Sequence, residues 1–166
     1  MGLNASGADS YVLCELAGAT YALRSDDIEQ LEMVGQLTAV PNAPSFVDGI
    51  TSVRGRVIPA VSLRARFGFD RAPYDLRSRL VVVRAGGRSV GLIVDSAREF
   101  AGIPADKIQP PPDGLADMSS RYLRGMAHLG ERLVLIIDVA ELLHTSDAPT
   151  AVSSGSPIEL LPSIAQ

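Results

Sequence analysis

The chain has 166 residues, 46% hydrophobic and 20% charged, which supplies a packed core and excludes wholesale disorder. Aromatics are only 5% and Trp is absent, so the core must come from Val, Leu, Ile and Ala. The net charge of -4 hides an asymmetry: residues 1–53 carry -6, residues 54–88 carry nine arginines and a net +7, and residues 89–166 carry -5. One cysteine, Cys14, excludes an intramolecular disulfide and a Cys-based zinc site. No apolar run approaches the ~18 residues of a membrane span. No charged flank precedes an apolar stretch at the N-terminus, so a cytoplasmic protein is expected.

In chain order, residues 1–9 read as a flexible N-terminus. Residues 11–16 read as a strand, residues 16–20 as a turn around Gly18, and residues 25–30 as a short helix capped by Asp26. A proline-bounded loop at 41–44 leads to Gly49-Ile-Thr-Ser-Val-Arg-Gly-Arg-Val-Ile-Pro-Ala-Val-Ser-Leu, a strand, a tight turn at Arg54-Gly55-Arg56 and a second strand. Pro59 cannot donate to a ladder, so it is expected at an edge or a bulge. A helix is expected over 63–67. Residues 80–83 form a continuous β-branched and leucine run, Gly86-Gly87 a hairpin turn, and residues 89–94 the returning strand. Asp95 is expected to cap like Asp26. A proline-rich loop covers 103–112, a buried strand 133–137, and a closing helix 139–144 anchored by Leu142 and Leu143. Residues 145–156 have linker composition, and the tail 157–166 has apolar residues spaced by three.

The chain repeats itself. Residues 11–23 overlay residues 80–92 at an offset of 69, with Gly18 on Gly87, Asp26 on Asp95 and Leu31 on Phe100. Phe46-Val-Asp-Gly49 then falls on Tyr122-Leu-Arg-Gly125 at an offset of 76, and residues 56–61 fall on 132–137. A seven-residue insertion within 110–121 accounts for the change of register. About five short strands in roughly 70 residues suit a small closed barrel, which leaves no exposed edges. The expected fold is therefore all-β, mainly strand with short helices. It comprises two pseudo-symmetric five-stranded barrels, 10–70 and 71–144, followed by a linker and tail over 145–166.

Enzymatic constellations are scarce. His128 and His144 are the only histidines and have no partner at metal-ligand spacing. No phosphate-binding glycine loop or nucleophile elbow occurs. No enzyme activity, cofactor or metal is expected. Arg54, at a hairpin tip, presents a planar cation suited to a carboxylate or to the last carbonyls of a partner helix.

These residues resemble the chemotaxis coupling-protein (CheW-like) family, whose first half carries Gly-x-x-Asn-x-Arg-Gly-x-x-x-Pro-x-x-Asp-Leu. The matching positions are Gly49, Arg54, Gly55, Pro59 and Leu63, followed in the second half by Tyr122 and Gly125. The likeness spans about residues 10–144. It implies SH3-like barrels and a non-enzymatic adaptor that joins the cytoplasmic tips of methyl-accepting chemoreceptors to the regulatory domain of a CheA-type histidine kinase. No membrane insertion of its own is implied, only recruitment to receptor arrays. By resemblance, Arg54 with Ile28, Gln30 and Leu31 would contact receptor helices, and Gly49, Gly55, Pro59 and Leu63 would form the structural motif or kinase interface. Ser52 stands where the family favours Asn, Ser62 where it favours Asp, and Gln30 where an acid is common. The alternative is a small-barrel nucleic-acid binder using the basic segment 54–88 for phosphate contacts, although aromatic stacking platforms are few there.

Overall fold

The computed structural model describes residues 8–111 and 122–144. The expected insertion lies mostly outside the described residues, as do the linker and tail. Among the described residues, five strands come first: β1 (Ala8–Leu16), β2 (Ala19–Arg24), β3 (Ile28–Met33), β4 (Val47–Val53) and β5 (Arg56–Ser62). The helix α1 (Leu63–Arg66) closes this run. The second run is β6 (Arg79–Ala85), β7 (Arg88–Val94), β8 (Ser96–Pro104), β9 (Leu123–Leu129) and β10 (Arg132–Ile137), closed by α2 (Val139–His144). The mainly β fold with short helices is as expected, and the element order repeats at the offsets read from the sequence. β1 already begins at Ala8, inside the segment read as a flexible terminus.

The strands form two five-stranded sheets, β8-β1-β2-β10-β9 and β3-β6-β7-β5-β4. Replacing each strand by its repeat equivalent turns one order into the other. The parallel pairings match too, Ala60 on Gly91 in one sheet and Ile136 on Ala22 in the other. Neither sheet, however, is built from one half of the chain. This corrects the division into a barrel of residues 10–70 and a barrel of 71–144: each repeat lends its first hairpin to the other's sheet. The connections explain the exchange. Only Asp95 separates β7 from β8, and only the 3-10 turn Ser25–Asp27 separates β2 from β3. A one-residue link is too short to reverse a strand into a hairpin, so the chain passes straight on into the other sheet.

The exchanged hairpins are buried on both faces. In β1, Tyr11 and Leu13 pack inside one barrel with Ile103, Val134 and Ile136. Val12, Cys14 and Leu16 turn the other way, into a core shared by both sheets. In β6, Leu80 and Val82 fill the second barrel with Val53 and Ile58, while Val81 and Val83 enter the shared core. This is why residues 80–83 read as a continuous apolar run instead of an alternating one. Each such fully buried aliphatic side chain contributes roughly 1.5–3 kcal/mol. Burial also pushes the Cys14 thiol up to about 12, which keeps it protonated and inert.

Each sheet closes on itself. Thr38, beyond β3, exchanges backbone hydrogen bonds of 2.9 and 2.8 Å with Ile50 of β4. Gln109, beyond β8, does the same with Met126 of β9 at 2.8 Å both ways. Pro59 lies in an interior strand, not at an edge, one residue before the parallel ladder to β7 starts at Ala60. Its missing N–H therefore costs that ladder nothing.

The helix expected over 25–30 is instead a single 3-10 turn followed by β3, because residues 28–33 pair with β6. Tertiary pairing overrides a weak local preference there. Neither Asp26 nor Asp95 is an N-cap. Asp26 is exposed and pairs with Arg24 at 3.2 Å, and Asp95 binds across the barrels as described below. The true caps are another repeat pair. The Ser62 hydroxyl accepts from Ala65 N at 3.2 Å, and Asp138 Oδ1 accepts from Glu141 N at 3.0 Å. Ser62 therefore does the work an aspartate does at the equivalent position. Ser62→Ala is expected to cost about 1 kcal/mol in urea denaturation.

Candidate functional site

The β4–β5 hairpin turns on Arg54 (φ +50°) and Gly55 (φ +85°), both left-handed, the two-residue turn whose twist matches the strands it joins. The equivalent of Arg54 in the second repeat is Gly130, also at positive φ. The first repeat thus holds a long cation in a conformation that costs a non-glycine residue about 1 kcal/mol, where the second uses glycine. Arg54 is largely exposed, and its Nε donates to Glu32 Oε2 of β3 at 3.1 Å. Beside this pair lies a pocket of about 190 Å³, lined by Glu32, Met33, Ser52, Val53, Arg54 and Leu80.

The other sequence-predicted contact residues lie on β3, at one end of the sheet order. Ile28 and Leu31 are half-buried and pack against the shared core. Gln30 Oε1 is buried with no hydrogen-bond partner among the described residues. The structure thus gathers Arg54 and β3 along one side of a barrel, but Ile28 and Leu31 are half spent on the core. Gly49, Pro59 and Leu63 are buried, and only Gly55 of the motif glycines and apolar residues is exposed. Met33, missed in the sequence, is 53% exposed at the end of β3.

Most of the basic segment is consumed within the fold. Glu29 accepts from Arg84 Nη1 at 2.8 Å, from Arg56 Nη2 at 3.0 Å and from Ser89 Oγ at 2.9 Å. These bonds, that from Arg84 foremost, hold its carboxyl down at about 2. Arg64 binds Asp95 through two bonds of 2.9 and 2.8 Å, and the same carboxylate accepts from Ala17 N of the other barrel's hairpin at 2.9 Å. Asp95 thereby pins the crossing between sheets. Arg71 pairs with Asp48, and Arg66 lies over both Phe46 and Tyr122, 4.5 and 4.7 Å from their ring centres. Phe46 and Tyr122 are repeat equivalents. Arginines committed in this way leave no continuous track of free cations for a phosphate backbone, so the nucleic-acid alternative loses its basis.

The Glu29 cluster makes a pH prediction. Because its folded value is depressed, its stabilisation is complete above the ordinary carboxylate value of 4.5 and is lost as pH falls toward about 2. Glu29→Gln is expected to lower the melting temperature at pH 7 and to flatten the decline between those two pH values. An unchanged melting curve at both ends would remove Glu29 from the account.

The family model described as the CheW-like domain matches residues 10–147. The chain belongs to the CheW-like domain family. Among CheW-like relatives, the chemotaxis protein CheW of Klebsiella aerogenes is 28% identical over 137 residues, covering 82% of this chain and 82% of that one. Protein FrzA of Myxococcus xanthus is 29% identical over 124 residues, 74% of this chain and 77% of that one. The crystal structure of the scaffolding protein TtCheW from Thermoanaerobacter tengcongensis superposes with a TM-score of 0.77 at 28% identity, covering 84% of this chain and 90% of that chain. Within this CheW-like fold, the Ser62 departure is a conservative exchange of one cap for another, and Ser52 is exposed on the pocket wall.

Proposed function

We propose that the protein is an adaptor of a chemosensory array, coupling the helical tips of chemoreceptors to the regulatory domain of a histidine kinase. The reading is supported by the family match over residues 10–147 and by the likeness to a scaffolding protein. The observation that carries it to particular residues is the β4–β5 tip. Only the first repeat places a cation there, Glu32 holds it in position, and a pocket opens beside it. A guanidinium fixed in this way is suited to a carboxylate or to the last carbonyls of a helix, and it sets register more than bulk affinity.

The mechanism is assembly. A rigid two-barrel body holds a receptor helix and a kinase domain at fixed separation, so that a change in receptor conformation alters the kinase equilibrium. Rigidity comes from the shared core and from the Asp95 pin, which leave little freedom between the sheets. No helix among the described residues is long and apolar enough to cross a membrane. We place the protein in the cytoplasm, recruited to receptors through its partners. The test is co-purification: the full chain mixed with the cognate kinase and a receptor signalling-tip fragment should yield a ternary complex. If the kinase and receptor fragment co-elute equally well without it, the adaptor reading is wrong.

A further inference from the structure

Met33 stands apart from the apolar residues around it. Ile28 and Leu31, earlier in β3, pack on the shared core, and Val34 and Leu37, just beyond the strand, pack on the Leu80–Val82 core of the same sheet. Met33 belongs to none of the core clusters among the described residues and is 53% exposed. Its side chain is not spent on folding. A single exposed apolar side chain needs no explanation in general. A thioether on the wall of the candidate site, however, carries chemistry that an aliphatic side chain lacks.

Met33 lines the pocket of about 190 Å³ together with Glu32, Ser52, Arg54 and Leu80. Of the Arg54 donors, Nε is committed to Glu32 Oε2 at 3.1 Å, and Nη1 and Nη2 make no hydrogen bond among the described residues. Arg79, the strand partner of Met33, is committed to Leu76 O and Ser78 O, both at 2.8 Å. The other sulfur atoms among the described residues are better covered. Cys14 is 0% exposed. Met126 is only partly exposed in β9, between its ladder to Leu135 and its bridge to Gln109. Met1 and Met118 lie outside the described residues.

We infer that Met33 is an oxidation site through which peroxide-class oxidants lower receptor coupling. The inference rests on the adaptor reading and adds a regulation to it. The sulfur lone pair attacks one oxygen of hydrogen peroxide; the O–O bond breaks, an S–O bond forms and water leaves. Sulfur is oxidised to the sulfoxide and the peroxide is reduced. A flexible apolar side chain thereby becomes a polar, chiral one. The sulfoxide oxygen is a strong hydrogen-bond acceptor, and the uncommitted Arg54 nitrogens border the same pocket. A guanidinium drawn onto that oxygen is no longer available to a partner's carboxylate or helix end. A thiol-dependent methionine sulfoxide reductase reverses the change: two thiols become a disulfide and the oxygen leaves as water.

The test treats the full chain with hydrogen peroxide and locates oxidised methionines by peptide mass. Met33 is expected to gain one oxygen atom before Met126 does. The treated wild type, titrated with a receptor signalling-tip fragment, is expected to bind about tenfold more weakly than its untreated form, or worse. Melting temperature and binding to the kinase regulatory domain should not change, and reductase treatment should restore the receptor affinity. Met33→Leu and Met126→Leu are each compared with their own untreated forms. Peroxide should leave the receptor affinity of the first as it was and weaken the second as it weakens the wild type. Oxidation of Met126 ahead of Met33 overturns the inference, as does an undiminished peroxide effect in Met33→Leu. So does a parallel loss of kinase binding, the mark of general damage. A wild type that binds no receptor fragment before treatment sinks the adaptor reading and the inference with it; one that binds equally before and after sinks the inference alone.

Discussion

Gly49→Ala is expected to destabilise the protein by about 3 kcal/mol or more, enough to leave a marginal domain largely unfolded. A Cβ at Gly49 would stand 2.2 Å from the Thr38 carbonyl oxygen and 2.7 Å from its carbon. Those are backbone atoms, and they make the hydrogen bonds that close the barrel onto β4. Relief by rotating a side chain is not available, so the strand must move and the closure must open. The backbone φ of +139° at Gly49 adds its own penalty for any other residue. Gly18→Ala is the matched comparison. Gly18 also has a positive φ, +84°, but nothing lies within 4 Å of the added methyl. It should lose only about 1 kcal/mol. Urea denaturation of the two variants separates the effects: equal losses would mean that the Thr38 approach does not matter. The same reasoning applies to Gly125, where the Cβ would meet Gln109 O at 2.6 Å.

Arg54→Glu is expected to leave the fold intact and weaken receptor coupling at least tenfold, about 1.4 kcal/mol or more. The side chain is exposed, so nothing in the core is disturbed. The substitution sets a second carboxylate against Glu32 and turns the cation proposed to fix register into a repulsive group. Arg54→Lys should retain part of the coupling, since it keeps the charge but not the planar fork. Kinase binding measured alone should not change. A variant that couples receptor to kinase as the wild type does would remove Arg54 as the anchor.

The duplication was legible in the sequence because glycines and apolar positions coincide at two offsets, and the structure places equivalent strands on them. The Gly49 and Gly125 pair was visible as a repeat, although its reason, a backbone passing within contact distance, appears only once β4 and the segment after β3 are brought together. The exchange of hairpins left no mark of its own. Residues 80–83 show that β6 is buried on both faces, but apolar runs do not name their neighbours, and the one-residue link at Asp95 became informative only when the strand ends were known. The acidic residue read as a cap at 95 is an inter-barrel tether for the same reason: Arg64 is 31 positions away in sequence. The +7 of residues 54–88 was misleading as a sum. Glu29, Glu32, Asp48 and Asp95 lie outside that segment and take up much of its charge in space.

The central claim, that this CheW-like body transmits receptor state to a kinase by holding both, is tested most directly by reconstituted phosphotransfer. Autophosphorylation of the cognate kinase is measured with membranes bearing the receptor, with and without the protein, and with and without attractant. The account predicts that receptor state changes the kinase rate only when the protein is present, and that Arg54→Glu removes the response without slowing the kinase on its own. A kinase that responds to receptor state equally well in the protein's absence would contradict it.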